Sequence, residues 1–117
     1  MIQAIQDTNI GMIRGDTLAL GVELLDDSGQ ALTDDLTAAY FSCKSDPENT
    51  AYSFQKTLSN GISKVATGRY QIRVAPEDTE NLEPGTYYYD FEFQIGDDVY
   101  TPLIGKLVID IDITREI

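Results

Sequence analysis

Apolar and polar side chains alternate with a period of two along much of this chain. The pattern is clearest from Tyr87 to Ile95, where the odd-numbered residues are aromatic or aliphatic and the even-numbered ones include Asp90 and Glu92. Successive side chains of a β-strand point to opposite faces, so as a strand this segment has one apolar and one polar face. As a helix it would have no continuous apolar stripe. The chain is therefore constrained to fold as sheets that bury one face.

Other segments follow the same pattern. Thr17 to Leu24 has its leucines and valine in one phase, and the turn Gly96-Asp97-Asp98 leads into a last long strand. Pro102 cannot donate to a strand ladder and Gly105 has no side chain to pack, so we expect a bulge or kink midway along it. Weaker strands are expected at residues 36–43, 52–58, 62–66 and 69–74. Leu36, Ala39, Phe41 and Cys43 mark the first of them, and in the last Tyr70, Ile72 and Val74 are expected to face inward. The inward residues of the last strand are predicted to be Val99, Thr101, Leu103, Leu107, Ile109, Ile111 and Ile113.

The spacing of these segments predicts an all-β fold. About seven to eight short strands with frequent turn residues are typical of sandwiches and barrels, and the long final hairpin favours an antiparallel two-sheet sandwich. Helical signals are confined to residues 76–82, where acidic residues come early and Pro84-Gly85 ends the segment, so one short helical turn is expected there. The chain is interpreted as a single domain over residues 1–117. Residues 1–11 are interpreted as an N-terminal extension, and residues 110–117 as a C-terminal extension of the last strand.

The charge balance excludes two classes of partner. The chain has 8 Lys and Arg against 20 Asp and Glu, a formal net charge of −12. Nucleic acids and anionic membranes attract Lys and Arg and would be repelled by such a surface, so neither is expected as a partner. The acidic surface either maintains solubility or meets a basic partner. The N-terminus lacks the basic start and apolar block of a signal peptide, so secretion by that route is not expected.

The commonest general base is missing from the sequence, and with it the usual serine or cysteine triad and most zinc sites. There is no histidine, and the single cysteine, Cys43, has no base to activate it and no partner for a disulfide. Cys43 lies in an apolar segment, which predicts burial as a small hydrophobic side chain. We therefore predict a protein without catalytic residues, metal ligands or cofactors. Turn carboxylates such as Asp26-Asp27 and Asp97-Asp98 leave a calcium site as an alternative, although no EF-hand loop occurs.

Several apolar residues fall outside the inward phase or extend beyond the domain. Tyr88 and Tyr100 are out of phase with the core residues of their strands, which predicts an outer-face position for both near the last strand. Tyrosine is favoured at protein interfaces, so these positions indicate a contact surface. Isoleucines at the C-terminus could extend the last strand and pair with a neighbour's sheet edge. The predicted interaction surface comprises Tyr88, Tyr100, Ile104, Val108, Ile111 and Ile113.

Three sequence motifs resemble those of a known family. They are Arg14-Gly15-Asp16 followed by Asp27-x-Gly29-x-x-Leu32-Thr33, then Thr79-x-x-Leu82-x-Pro84-Gly85-x-Tyr87-x-Tyr89-Asp90, and finally Thr101-Pro102-x-x-Gly105-Lys106-x-x-Ile109. Together they resemble Ig-like β-sandwich domains of phage and prophage tails, as in the N-terminal domain of baseplate upper proteins and in minor tail proteins. The resemblance implies an Ig-like antiparallel two-sheet β-sandwich. The turn before Tyr87 is also similar to one in fibronectin type III domains, and Tyr88 is the position that would match their corner tyrosine.

The resemblance implies a non-enzymatic virion structural protein, an assembly module of a tail, baseplate or neck. Its partners would then be other virion structural proteins and further copies of itself in a homo-oligomer. It would fold in the bacterial host cytoplasm before assembly into the virion. The alternative is a ligand-binding β-sandwich module of a bacterial surface protein, which would use the tyrosines for carbohydrate or the loop carboxylates for calcium.

Overall fold

The structure, a computed structural model, describes residues 3–5 and 9–114 and is almost entirely β. The all-β class predicted from the alternation is confirmed. The one described helix, α1, lies inside the predicted helical segment. The elements in chain order are β1 (Gln3–Ile5), β2 (Asn9–Ile13), β3 (Leu18–Leu25), β4 (Ala38–Lys44), β5 (Phe54–Leu58), β6 (Gly61–Ala66), β7 (Arg69–Val74), α1 (Pro76–Thr79), β8 (Gly85–Ile95) and β9 (Asp98–Asp110).

The described strands are joined in one continuous ladder with the order β1-β3-β7-β6-β5-β4-β8-β9-β2. Most neighbours are antiparallel, whereas the pairs β2–β9 and β5–β6 are parallel. Strand β1 at one end of the ladder also contacts β9 near the other end, so the sheet nearly closes on itself. This mixed, nearly closed sheet differs from the predicted arrangement of two separate antiparallel sheets.

A very tight turn makes the ladder continuous. Between β5 and β6, Ser59 and Gly61 both have positive φ angles, of 68° and 104°. The chain reverses so sharply that Thr57 and Leu58 pair with residues only four positions further on, Gly61 and Ile62. Alternation along a strand carries no information about such a bridge, because it depends on the backbone conformation of two turn residues.

The N-terminal segment is part of the sheet, so its interpretation as an extension is wrong for the described residues. Strand β1 pairs antiparallel with β3, and β2 pairs in parallel with β9. Ile10 and Met12 of β2 are buried, while Asn9 and Gly11 are exposed. Residues 1, 2 and 6–8 of the predicted extension lie outside the described residues. The short alternating pattern at residues 9–13 therefore corresponds to a half-buried strand.

One hydrophobic core lies on the inward face of the ladder. Phe41, Phe91 and Phe93 are its largest fully buried side chains, and residues from β2 to β9 contribute to it. Burying a side chain of this size contributes roughly 1.5–3 kcal/mol. The inward phases predicted for β3, β4, β7 and β8 are confirmed, with Leu24, Cys43, Ile72 and the residues above among those buried.

The expected bulge in β9 is present, and it reverses the phase of the strand. Phe91 pairs with Leu103 but Phe93 pairs with Tyr100, so β9 has one residue more than β8 between these pairs. Tyr100 consequently packs on the core with its ring stacked on Phe93, the centroids 5.4 Å apart. Val99 and Thr101, predicted to face inward, are exposed. The outer-face position predicted for Tyr100 is therefore wrong.

Strand β9 ends at Asp110, so the predicted strand extension is wrong for residues 111–114, and residues 115–117 lie outside the described part. The side chain of Arg14, which is largely buried, donates to the Asp112 carboxylate at 2.9 Å and to the Leu82 carbonyl at 3.2 Å. These bonds hold the chain after β9 against the loop that follows α1. Ile113 beyond them is 98% exposed.

A tyrosine hydroxyl ties strand β8 to the loop before it. Tyr87, whose ring is buried, donates from its hydroxyl to the Glu83 carbonyl at 2.6 Å. Nearby, the buried hydroxyl of Thr79 in α1 accepts a bond of 2.8 Å from the Gly15 amide. The corner position expected at Tyr88 is therefore wrong by one residue. The reason is the pleat, because only the inward residue can reach back under the loop.

Replacement of Gly68 tests a position where two backbone atoms of other residues lie close to a glycine. Gly68 has φ +69°, and a Cβ there would lie 2.9 Å from the Leu32 nitrogen and 3.0 Å from the Leu24 carbonyl oxygen. Gly29 has a similar φ of +81° but open space around it. In urea titrations we expect Gly29→Ala to destabilise by about 1 kcal/mol and Gly68→Ala by about 2–4 kcal/mol. Equal losses would contradict this packing.

The Tyr87 hydrogen bond is expected to be measurable in a matched pair of variants. Tyr87→Phe removes the bond to Glu83 and should lower the free energy of unfolding by about 1 kcal/mol. Tyr70→Phe is the control, because the Tyr70 ring is also buried, while its hydroxyl is accessible to water and makes no hydrogen bond to the described residues. Chemical denaturation of both variants gives the comparison. A loss for Tyr70→Phe as large as for Tyr87→Phe would rule out the corner bond as the cause.

Candidate functional site

The register of four strands places a row of dissimilar side chains across the outer face of the sheet. Asp90 of β8 lies directly between Ser42 of β4 and Ile104 of β9, and Ser42 is in turn opposite Gln55 of β5. In the adjacent row on the same face, Tyr88 of β8 lies between Lys44 of β4 and Lys106 of β9. The outward orientation of these side chains follows from alternation, because the residues next to them in sequence fill the core.

Differences in side-chain size make this face concave. Ser42 and Asp90 at the centre are short, whereas Tyr40, Tyr88 and Ile104 around them are long. The result is a groove with a volume of about 710 Å³, within the range of roughly 300–1,000 Å³ found for small-molecule sites. We call it the β4–β8 groove. Its lining is Tyr40, Ser42, Lys44, Pro47, Tyr52, Gln55, Tyr88, Tyr89, Asp90, Glu92, Gln94, Ile104, Gly105 and Lys106.

Charges in the β4–β8 groove balance, unlike those of the whole chain. Two ammonium groups, of Lys44 and Lys106, face two carboxylates, of Asp90 and Glu92, so the lining sums to zero in a chain of net charge −12. The Lys44 ammonium is held in place: it donates to the Asn49 carbonyl at 2.7 Å and lies 5.2 Å from the centre of the Tyr52 ring. The lining itself therefore favours ions of neither sign.

Asp90 is a partly buried carboxylate in the lining of the groove. Its side chain makes no hydrogen bond to residues 3–5 or 9–114, and partial burial raises its pKa, an effect that the nearby Lys44 charge partly offsets. The neighbouring Ser42 hydroxyl, by contrast, accepts a 2.9 Å bond from the Gln55 amide. A groove carboxylate that receives no hydrogen bond from the described residues is available to donors of a ligand.

The structure brings together only part of the predicted interaction surface. Tyr88 and Ile104 line the groove, and Ile104 is 73% exposed. Val108 lies on the same face of β9 outside the groove, and the bulge directs Tyr100 to the core. Ile111 and Ile113 are exposed beyond the end of β9.

Sequence reasoning missed the groove residues on the other strands. Tyr40 alternates with the buried Ala39 and Phe41, so its outward position could have been found from the pattern of β4. Its position beside Glu92 could not, because that depends on the pairing of β4 with β8. Asp90 and Glu92 were identified as outward residues but were not assigned to a site.

Cys43 is buried, as its apolar segment predicted. Burial raises the pKa of its thiol to about 12, so the thiolate is scarce at neutral pH.

Within the described part of the chain no three His, Cys, Asp or Glu side chains are grouped as a metal site would require. None of the helices described is long and apolar enough to cross a membrane.

Comparisons with known proteins identify similar folds only. No known family and no curated protein matches the sequence. An endo-β-1,4-mannanase from Thermotoga petrophila matches 95% of this chain with a TM-score of 0.59 and 11% identity, but over only 20% of its own length. CopC from Methylosinus trichosporium OB3b matches 99% of this chain, over 100% of its own, with a TM-score of 0.58 and 8% identity. At such identities the likeness concerns the fold alone.

Removing the Asp90 charge is expected to stabilise the protein at neutral pH. The folded-state pKa of Asp90 is raised, so the folded state disfavours its charged form, and the cost is present above that pKa and absent below the unfolded-state pKa. Asp90→Asn should therefore raise Tm at pH 7, and the gain should vanish near pH 3. Differential scanning calorimetry across this range measures both.

Asp26→Asn is the matched control, since it removes the same charge from the chain. Hydrogen bonds from the Gln30 amide and the Ser28 hydroxyl lower the pKa of Asp26. Its stabilising effect is present above the unfolded-state pKa and is lost as pH falls through the folded-state pKa, so Asp26→Asn should lower Tm at pH 7. Shifts of the same sign in both variants would mean that net charge, and not the local environment of Asp90, determines the result.

Proposed function

We propose that the ladder is an Ig-like two-sheet sandwich whose sheets are joined by the β5–β6 bridge. That bridge consists of two residue pairs. On either side of it lie the groups β1-β3-β7-β6 and β5-β4-β8-β9-β2. The N-terminal segment contributes one strand to each group, and the Tyr87 hydroxyl bonds to a backbone carbonyl four residues upstream. A tyrosine corner at this place in the chain is a feature of Ig-like sandwiches.

We further propose that the protein is a non-enzymatic assembly module of a tailed-phage virion, in its tail, baseplate or neck. The sequence resemblance to Ig-like tail and baseplate domains suggests the setting. Several residues of the resembling motifs hold one end of the fold together, among them Arg14, Thr79 and Tyr87. The partners proposed are other virion proteins and copies of this chain.

The observation that carries an assembly role is an exposed apolar surface on β2 and β9, which we call the β9 surface. Val108 is 39% exposed beside Gly11, which has no side chain to cover it, and Ile13 is 40% exposed beside Asp110. Ile111 and Ile113, beyond the end of the strand, are exposed as well. Exposed apolar residues grouped in this way are typical of interaction sites.

The edge of β2 supports the same role. Among the described strands β2 pairs with β9 alone, so its other edge has backbone groups without a strand partner. A strand edge without a strand partner can accept a strand from another chain, with main-chain hydrogen bonds supplying affinity. A partner strand there would lie next to the β9 surface.

Self-association through the β9 surface is testable by sedimentation velocity over a range of protein concentrations. We expect a concentration-dependent oligomer whose dissociation constant rises at least about tenfold in Val108→Asp, because a charge replaces an apolar contact. Val65→Asp is the control, since Val65 is 61% exposed on β6 in the other strand group. A strictly monomeric wild type, or equal effects of the two variants, would contradict the assembly proposal.

The virion setting has its own test. Mass spectrometry of purified phage particles from the bacterium that carries the gene should detect this chain at a stoichiometry matching other tail or neck proteins. Its absence from intact particles would overturn the virion proposal and leave the interaction surface unassigned.

A ligand-binding module of a bacterial surface protein is the second candidate, and the β4–β8 groove is the observation that favours it. Two lysine ammonium groups accompany the two carboxylates of the groove, so the site favours an organic ligand over calcium. Thermal shift with calcium chloride should therefore show no stabilisation beyond the effect of ionic strength, as given by an equal ionic strength of sodium chloride.

A further inference from the structure

The shape of the β4–β8 groove determines what kind of molecule could occupy it. Its lining combines the short side chains of Ser42 and Asp90 with the long ones of Tyr40, Tyr88 and Ile104. Two copies of a concave face would enclose a void if they packed together, and voids in interfaces forfeit contact energy. The groove is therefore better filled by a narrow ligand than by the same face of a second copy.

The charge of the groove narrows the ligand further. Its two ammonium and two carboxylate groups sum to zero, whereas the chain as a whole carries −12. A cationic ligand would meet Lys44 and Lys106, and an anionic one would meet Asp90 and Glu92. A neutral ligand avoids both repulsions, so charge complementarity favours an uncharged molecule.

The lining offers both contacts that a sugar needs. The rings of Tyr40, Tyr52 and Tyr88 provide apolar faces with polar tips. Asp90 and Glu92 accept hydrogen bonds, Lys106 donates them, and the amides of Gln55 and Gln94 offer both. Sugar hydroxyls are both donors and acceptors, so a saccharide can satisfy this mixed set of groups.

We propose that the β4–β8 groove binds an uncharged saccharide, with Asp90 accepting hydrogen bonds from its hydroxyls and Tyr40 and Tyr88 packing against its rings. Bonds from hydroxyls to a carboxylate are charge-assisted and stronger than neutral ones. Ser42 and Lys44 are already held by Gln55 and Asn49, so part of the site is ordered before the ligand arrives. This site is separate from the proposed assembly role, which rests on the β9 surface.

The experiment is an NMR titration of the ¹⁵N-labelled full chain with three uncharged probes: cellohexaose, mannohexaose and fully N-acetylated chitohexaose. We expect at least one to shift amide signals of β4 and β8 around Ser42 and Asp90 in a saturable way. Asp90→Asn and Tyr88→Ala should each weaken that binding about tenfold or more. Asp26→Asn is the matched control and should bind as the wild type does.

Two charged ligands test whether the groove discriminates by charge, and one further variant separates the saccharide proposal from the assembly proposal. A lysine-rich peptide and a polyanionic oligosaccharide should leave the groove signals unchanged, and binding of either there in place of the neutral probes would overturn the inference. Absence of saturable shifts with all three neutral probes at about 10 mM would overturn it too, because that limit exceeds even a weak dissociation constant of about 1 mM. Val108→Asp should keep saccharide binding, so failure of assembly and failure of this site are distinguishable.

Discussion

The pleat of strand β8 is the constraint on which the rest of the structure depends. Tyr89, Phe91 and Phe93 point into the core, while Asp90 points to the opposite side, into the groove. Strands β4 and β9 pair along both edges of β8, so both of its faces are set by neighbours. A slip of one residue in register would exchange the two sets of side chains, burying charges and exposing rings. Core packing therefore positions the groove.

Local departures from regular structure determine where the surfaces end. The extra residue in β9, between Tyr100 and Leu103, turns Tyr100 inward onto Phe93. Ile104, beyond the bulge, remains outward. At the other end, the bonds from Arg14 hold the chain near Asp112 away from a continued strand. The ionised Asp90 carboxylate destabilises the folded state, because partial burial without hydrogen bonds from the described residues disfavours its charge. Polar groups kept at such a cost are typical of binding sites.

The two proposed surfaces lie on one side of the molecule and share strand β9. Ile104 borders the β4–β8 groove, and Val108, four residues later on the same face, belongs to the β9 surface. An assembly confined to β2 and the Val108 end of β9 would leave Ser42 and Asp90, which lie on β4 and β8, uncovered. Assembly and ligand binding are thus compatible, and a module held in an array by one surface could present many weak sites together.

The sequence by itself determined the strands and most of their inward residues, because alternation is a local property that burial enforces residue by residue. Leu24, Ile72 and Phe91 were placed correctly for that reason. Only the tertiary structure decided the strand order, the parallel pairing of β2 with β9 and the phase reversal at Tyr100, since each depends on residues far apart in the chain or on the backbone of a single bulge. The groove is of this second kind: Ser42 and Asp90 are separated by 47 intervening residues (positions 43–89) and meet only through the pairing of β4 with β8.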